Sequence, residues 1–126
     1  MKNAFSLSAR VRSFGYAFRG IAAFLRREHN AWLHLLATIV VIALGICLRL
    51  TIMEWVAISI VMGLVWITEM LNTCVEKIID EVTEERRPSI AFIKDVAAGA
   101  VLMAAILALI VGILILGNRL MEAFLH

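Results

Sequence analysis

Three long apolar stretches constrain the fold of this 126-residue chain more than any other feature. They lie at about residues 31–50, 54–79 and 90–117, and about 20 mostly apolar residues are enough for a helix to cross a bilayer core of about 30 Å. Hydrophobic residues make up 63% of the chain, against about 45–50% in soluble domains. A soluble protein of this size could not bury so much apolar surface. We therefore predict an all-α membrane protein, a single domain over residues 1–126 with three transmembrane helices.

The segment before the first apolar stretch, about residues 8–28, has the pattern of an amphipathic helix. Five apolar residues recur at spacings of three and four, namely Val11, Phe14, Phe18, Ile21 and Leu25. Arg12, Arg19 and Arg26 repeat every seven residues along the flank of that face. The pattern predicts a helix lying at the membrane surface with its arginines among lipid phosphates. A helix packed on its own membrane bundle fits the pattern equally well.

The distribution of lysine and arginine predicts the orientation of the chain. Of the 12 basic residues, six lie in the first 30 positions and four between Lys77 and Lys94, while Arg49 and Arg119 stand alone in the other flanks. Cytoplasmic flanks carry the excess of positive charge. We therefore expect the N-terminus and the 77–94 segment in the cytoplasm and the C-terminus outside, in a cell membrane.

Several kinds of site are excluded by what the sequence lacks. Cys47 and Cys74 lie in apolar stretches without metal-ligand spacing, so we expect neither a disulfide framework nor a zinc site. The net charge is only +2, and no nucleic-acid-binding motif is present, so we expect no nucleic acid partner. The sequence also lacks a P-loop, a G-x-G-x-x-G motif and a soluble-kinase catalytic loop.

One face of the second apolar stretch carries polar residues at helical spacing. On a helix, Glu69, Asn72, Glu76 and Asp80 fall within about 80° of arc, and Glu69 lies about 16 Å deeper than Asp80. A carboxylate inside a membrane costs about 2.5–3.5 kcal/mol on insertion scales, so it calls for a function. A carboxylate held away from water takes up a proton readily, whereas one at the wet edge stays ionised and binds hard cations. This contrast predicts Glu69 as a base toward a lipid hydroxyl and Glu76 as a Mg²⁺ ligand, with Glu28 as the second ligand.

The segment between the second and third stretches is more charged than solubility requires. Pro88 and Ser89 predict the start of a helix with Ser89 as its N-cap, which would put Lys94 and Asp95 in its first turns. A lysine there can bind nucleotide phosphates as a point charge. The alternative is that Lys94 and Asp95 only anchor the helix at the interface.

The residues alone leave other functions open for the polar stripe. It could be a seam between the helices of an oligomer, or it could line the pathway of a small oligomeric transporter or channel. A membrane scaffold subunit is a third alternative, in which all of these acids would be dispensable.

The polar stripe belongs to a longer motif. The motif consists of residues 69–76 (EMLNTCVE), Asp80 and residues 94–102 (KDVAAGAVL), and residues 14–17 (FGYA), Gly20 and Glu28 fit the same pattern. On these residues, nearly the whole chain resembles the prokaryotic diacylglycerol kinase family, small integral membrane lipid kinases that include the undecaprenol kinases.

The resemblance implies a homotrimeric kinase that uses ATP and Mg²⁺ and has its active sites between subunits. It implies Glu69 as the general base with Asn72 in support, and Glu28 and Glu76 as the Mg²⁺ ligands. The residues implied for ATP binding are Arg10, Tyr16, Glu28, Glu76, Asp80, Glu85, Arg86, Arg87, Lys94 and Asp95.

The resemblance also implies the acceptor, which is diacylglycerol, giving phosphatidic acid, or alternatively undecaprenol, giving undecaprenyl phosphate. Glu28, Asn30 and His34 form an E-x-N-x-x-x-H pattern that resembles the undecaprenol kinase branch. Asn30 and His34 join Glu69 as candidate contacts to the lipid substrate. The alternatives are that His34 bonds within the bundle and that Asn30 caps the first span.

Overall fold

A computed structural model describes residues 6–83, 85 and 87–125. These residues form four α-helices: α1 (Leu7–Arg27), α2 (His29–Cys47), α3 (Ile52–Val82) and α4 (Pro88–Leu125). The last three are long and apolar enough to cross a membrane, which confirms the predicted all-α membrane fold. The chain divides into two compact units, Met1–Leu33 and His34–His126.

Helix α1 begins and ends at residues that bond to its own backbone. The Ser6 hydroxyl accepts a hydrogen bond from the Ala9 N–H at 3.4 Å and caps the N-terminus. At the other end Glu28 has extended backbone, and its N–H donates to the Phe24 carbonyl at 3.0 Å. Glu28 is therefore the single residue that separates α1 from α2. Asn30 lies inside the first turn of α2, which begins at His29, so Asn30 is not the cap of that helix.

The turn between α2 and α3 is tight and depends on one left-handed residue. The Leu50 N–H donates to the Gly45 carbonyl at 3.0 Å and the Arg49 N–H to the Ile46 carbonyl at 3.2 Å. This pair of bonds is the Schellman pattern, which needs a left-handed residue just after the helix. Arg49 takes that position with a φ of 54°, although glycine is the residue that usually adopts it.

The capping residues at the start of helix α3 are also bonded to Arg119, near the C-terminal end of α4. Thr51 and Glu54 form a capping box, in which the Thr51 N–H donates to Glu54 Oε2 at 2.7 Å. The same carboxylate accepts two bonds from Arg119, from Nε at 2.9 Å and from Nη2 at 2.8 Å. Arg119 belongs to the last part of helix α4, which continues to Leu125, beyond the apolar stretch that ends near residue 117. Loss of hydrophobicity does not end a helix, because its hydrogen bonds are between backbone groups.

Helices α3 and α4 pack along each other and bury the core. The buried side chains there are Ile58, Val61 and Val65 from α3 and Ala104 from α4. Helix α3 ends at its C-cap residue Thr83, whose N–H donates to the Ile79 carbonyl at 3.0 Å.

The N-cap predicted for the third membrane helix is wrong. Helix α4 begins at Pro88, and the N–H groups of Ile90 and Ala91 both donate to the Arg87 carbonyl at 3.0 Å. Arg87 therefore occupies the cap position, and Ser89 lies inside the helix. The physical reason is that proline suits the first helical position, where no N–H is needed and its fixed φ is already helical.

Gly45 of α2 lies close to the Trp55 ring at the start of α3. A β-carbon on Gly45 would lie 2.6 Å from Cη2 and 2.8 Å from Cζ2 of the Trp55 ring. The ring is stiff, so it cannot yield as the end of a flexible side chain would. The close approach of Trp55 therefore requires glycine at this position.

We expect Gly45→Ala to lower the free energy of unfolding by about 1–3 kcal/mol, the usual cost of overpacking. In a Trp55→Ala background the ring is absent, so the same substitution should cost little, which a double-mutant cycle would record as coupling. Thermal unfolding in detergent micelles, followed by circular dichroism, measures both. Equal losses in the two backgrounds would contradict the steric explanation.

Candidate active site

Glu69 is the one buried charged residue in the described part of the chain, with 4% of its surface exposed. It lies in the middle of α3, on the side that faces α2. His34 Nε2 of α2 lies 3.9 Å from Glu69 Oε2, and the imidazole is itself mostly buried. The carboxylate that the sequence predicts as a base is thus held inside the protein beside an imidazole.

The other residues of the polar stripe become progressively more exposed along α3. Asn72 and Glu76 are half-buried, and Asp80 is exposed. The Asn72 side-chain amide donates to Glu76 Oε1 at 3.3 Å, while Asn72 Oδ1 is buried and has no hydrogen-bond partner among the described residues. The stripe therefore leads from the protein surface to a buried carboxylate, and it contains one acceptor atom that is free for a donor.

Lys94 is held at the exposed end of the stripe. Its Nζ donates to Asp80 Oδ1 at 2.8 Å, joining α4 to α3. Lys94 is in the second turn of α4, and its neighbour Asp95 is exposed. Two predicted ATP-binding residues, Lys94 and Asp80, thus lie together where the stripe reaches the surface, and Asp95 is the next residue along α4.

The predicted nucleotide contacts at residues 85–87 are only partly described. Arg87 pairs with Glu85, with Nη2 2.6 Å from Oε2, and both side chains are well exposed. The Glu85 N–H donates to the Thr83 hydroxyl at 3.0 Å. Arg86 lies outside the described residues.

Four predicted site residues belong to the first unit. Arg10, Tyr16 and Asn30 are exposed, and Glu28 is half-buried at the break between α1 and α2. The Arg19 guanidinium lies over the Tyr16 ring, 4.7 Å from its centre, a stacking geometry that stabilises a cation on an aromatic face.

Sequence reasoning missed two residues beside the buried carboxylate. Trp66 Nε1 of α3 donates to the Thr38 hydroxyl of α2 at 3.0 Å, and the Trp66 ring meets the His34 ring edge to face, with centroids 6.2 Å apart. A signal for both was present, because Thr38 follows His34 by four residues and Trp66 precedes Glu69 by three, so each pair shares a helix face.

An apolar cavity of about 570 Å³ lies between α2, α3 and α4. His34, Thr38 and Trp66 are at one end of it, and Gly117 and Leu120 line the other. Almost all of the remaining lining is aliphatic, so the cavity can receive hydrocarbon but not a polar headgroup.

Within the described ranges, no three His, Cys, Asp or Glu side chains are grouped closely enough to hold a metal ion. Mg²⁺ in phosphate-transfer sites, however, usually binds one or two carboxylates and completes its shell with substrate phosphates and water. A half-buried carboxylate fixed by an amide, as Glu76 is by Asn72, fits that kind of site.

Comparison with known proteins gives one family. The family model described as prokaryotic diacylglycerol kinase matches residues 15–116, a range that includes every predicted site residue except Arg10. An undecaprenol kinase of Bacillus subtilis is 38% identical over 104 residues, which cover 82% of this chain and 85% of that protein. A diacylglycerol kinase of Synechocystis is 35% identical over 113 residues, which cover 88% of this chain and 65% of that protein.

The burial of Glu69 gives a prediction about stability that does not depend on activity. We expect Glu69→Gln to raise the thermal stability, because it removes a charge held away from water; the gain is bounded by the insertion cost of about 2.5–3.5 kcal/mol. Glu76→Gln is the matched control, since that carboxylate is half-buried and bonded to Asn72, and it should bring no gain. Unfolding temperatures in detergent measure both. A lower stability for Glu69→Gln would mean that the ionised carboxylate and His34 stabilise each other.

Proposed function

Because the chain belongs to the prokaryotic diacylglycerol kinase family and is a lipid kinase, we propose that it transfers phosphate from ATP to a lipid hydroxyl beside Glu69. The burial of Glu69 at the inner end of the polar stripe is the observation that carries this proposal. A lipid hydroxyl lies at the edge of the hydrocarbon, whereas ATP approaches from water. A stripe that runs from an exposed ion pair to a buried carboxylate brings the two reactants together.

Glu69 acts in this proposal as the general base. Its carboxylate takes the proton of the lipid hydroxyl as the hydroxyl oxygen forms a bond to the terminal phosphorus of ATP. The bond from that phosphorus to the bridging oxygen breaks, and ADP leaves with the electron pair. Asn72 lies one turn away on the same face of α3, where its amide holds the Glu76 carboxylate, and the single proton of the hydroxyl goes to Glu69.

Glu76 is the proposed ligand of Mg²⁺, and Glu28 is the second on the family resemblance. The bond from Asn72 limits the motion of the Glu76 carboxylate, and little is left to reorganise when a cation binds. The ion would supply neutralisation of the charge on the ATP phosphates.

Lys94 is the proposed cationic contact to the ATP phosphates, which it would reach by leaving Asp80. An exposed ion pair is weak enough to exchange partners, and a phosphate carries more charge than a carboxylate. Asp80 and Asp95, the 85–87 segment, and Arg10 and Tyr16 of α1 are the further nucleotide contacts that the family resemblance supports.

For the acceptor, one observation favours undecaprenol. His34, the last residue of the E-x-N-x-x-x-H pattern, lies beside the buried carboxylate, and the Bacillus subtilis relative is an undecaprenol kinase. Asn30 and His34 are then the proposed lipid contacts beside Glu69. Diacylglycerol is the second candidate, because the family model and the Synechocystis relative are both named for it.

The proposed setting is a cell membrane with the N-terminus and the loop after α3 in the cytoplasm, where ATP is found. The excess of lysine and arginine in those two segments supports this orientation. A homotrimer with active sites between subunits is proposed on the family resemblance. Small residues at positions 97–100 of α4 would allow helices to approach closely.

The proposal is tested with purified protein, radiolabelled ATP, and diacylglycerol or undecaprenol in separate reactions. If only one of the two lipids becomes labelled, that lipid is the acceptor. If neither becomes labelled, the proposed function is overturned. Glu69→Gln should lower the rate by about 10²–10⁴, the usual contribution of a general base, while still binding Mg-ATP in equilibrium dialysis. Near-normal turnover of this variant would show that Glu69 is structural.

A magnesium titration of the rate tests Glu76 separately. We expect Glu76→Gln to raise the Mg²⁺ concentration for half-maximal rate about tenfold or more, since even partners of metal ligands contribute about 10–100-fold. Glu81→Gln is the matched control, because Glu81 is an exposed acid on the same helix, and its titration should match the wild type. An unchanged titration for Glu76→Gln would count against metal binding there.

A further inference from the structure

The hydrogen bond between Trp66 and Thr38 is an unusual feature for the interior of a membrane helix pair. Tryptophan in membrane proteins is enriched at the interfaces, where its N–H can reach water. Trp66 lies instead in the middle of α3, and its N–H donates to the Thr38 hydroxyl of α2 at 3.0 Å. Hydrocarbon offers no partner for an indole N–H, so this donor is satisfied within the protein. The bond therefore fixes the orientation of the Trp66 ring relative to α2.

The fixed indole ring in turn limits the motion of His34. The two rings meet edge to face, with an angle of 62° between their planes and 6.2 Å between centroids. This is a favourable geometry for an aromatic pair. The imidazole thus lies beside both the indole and the Glu69 carboxylate of α3.

His34 is placed to act on Glu69. Its Nε2 is 3.9 Å from Glu69 Oε2, one small movement beyond hydrogen-bond distance, and catalytic hydrogen bonds are often long before substrate binds. A base must present its lone pair to the hydroxyl at the right angle, and small misplacements can cost about 10²-fold in rate. Holding the carboxylate from α2 would supply that alignment.

We propose that Thr38 and Trp66 are positioning residues for the general base, and that they act on Glu69 through His34. The four side chains alternate between α2 and α3, so the arrangement also sets the register of one helix against the other. This inference rests on the proposed function, because it assigns a role toward the base of that reaction.

The test uses two substitutions that remove the Trp66–Thr38 hydrogen bond, one from each side. Thr38→Val and Trp66→Phe should each lower kcat about tenfold, with unchanged KM for ATP, in protein whose helix content by circular dichroism matches that of the wild type. The double variant should be no slower than the slower single variant, because both substitutions break the same bond. Thr68→Val is the matched control, since the Thr68 hydroxyl donates to the Leu64 carbonyl of its own helix at 2.8 Å, and it should keep the wild-type kcat.

His34 is tested by a conservative pair. His34→Gln keeps a side-chain N–H donor near the position of Nε2 and should retain most of the kcat, whereas His34→Ala should lose about 10–100-fold. A rise in the KM for lipid at unchanged kcat would overturn the inference, because it would make these residues part of the lipid-binding surface only. Wild-type kcat in both Thr38→Val and Trp66→Phe would also overturn the inference. If the wild type phosphorylates lipid, this outcome leaves the proposed function intact. A wild-type protein that labels no lipid would overturn both.

Discussion

A carboxylate inside a membrane-spanning helix is the constraint on which the rest of this structure depends. Hydrocarbon offers no hydrogen-bond partner, so every polar neighbour of Glu69 has to come from the protein. The structure supplies His34 from α2, and the stripe through Asn72 and Glu76 connects the site to the surface. The tight turn at Arg49 makes this possible, because it brings α2 back along α3 at a fixed register.

Helices α3 and α4 are joined by polar contacts at both ends of α3. Glu54 and Arg119 form the cross-link near the start of α3, and Asp80 and Lys94 form the one near its end. About 39 Å of helix separates Glu54 from Asp80. Between them α3 and α4 bury apolar side chains, namely Ile58, Val61, Val65 and Ala104. The two cross-links differ in use, since Lys94 is also the proposed contact to ATP.

Much of the fold and part of the site follow from the sequence, for identifiable physical reasons. The membrane helices are predictable because crossing a bilayer fixes a minimum apolar length, and the stripe because helical spacing puts Glu69, Asn72 and Glu76 on one face. The predicted N-cap of α4, Ser89, lies two residues after the observed one, Arg87, because the preference of proline for the first helical position outweighs that of serine for the cap. Helix α4 also continues past the apolar stretch, and Arg119 in that part of the helix is bonded to Glu54.

The sequence by itself therefore determined which segments cross the membrane, which face of α3 is polar, and which family the motif resembles. These properties are local, since each depends on residue spacing within a single helix. Only the tertiary structure decided that His34 faces Glu69 and that Trp66 bonds to Thr38. Those contacts depend on the rotation and register of α2 against α3, and the periodicity of either helix alone carries no information about them.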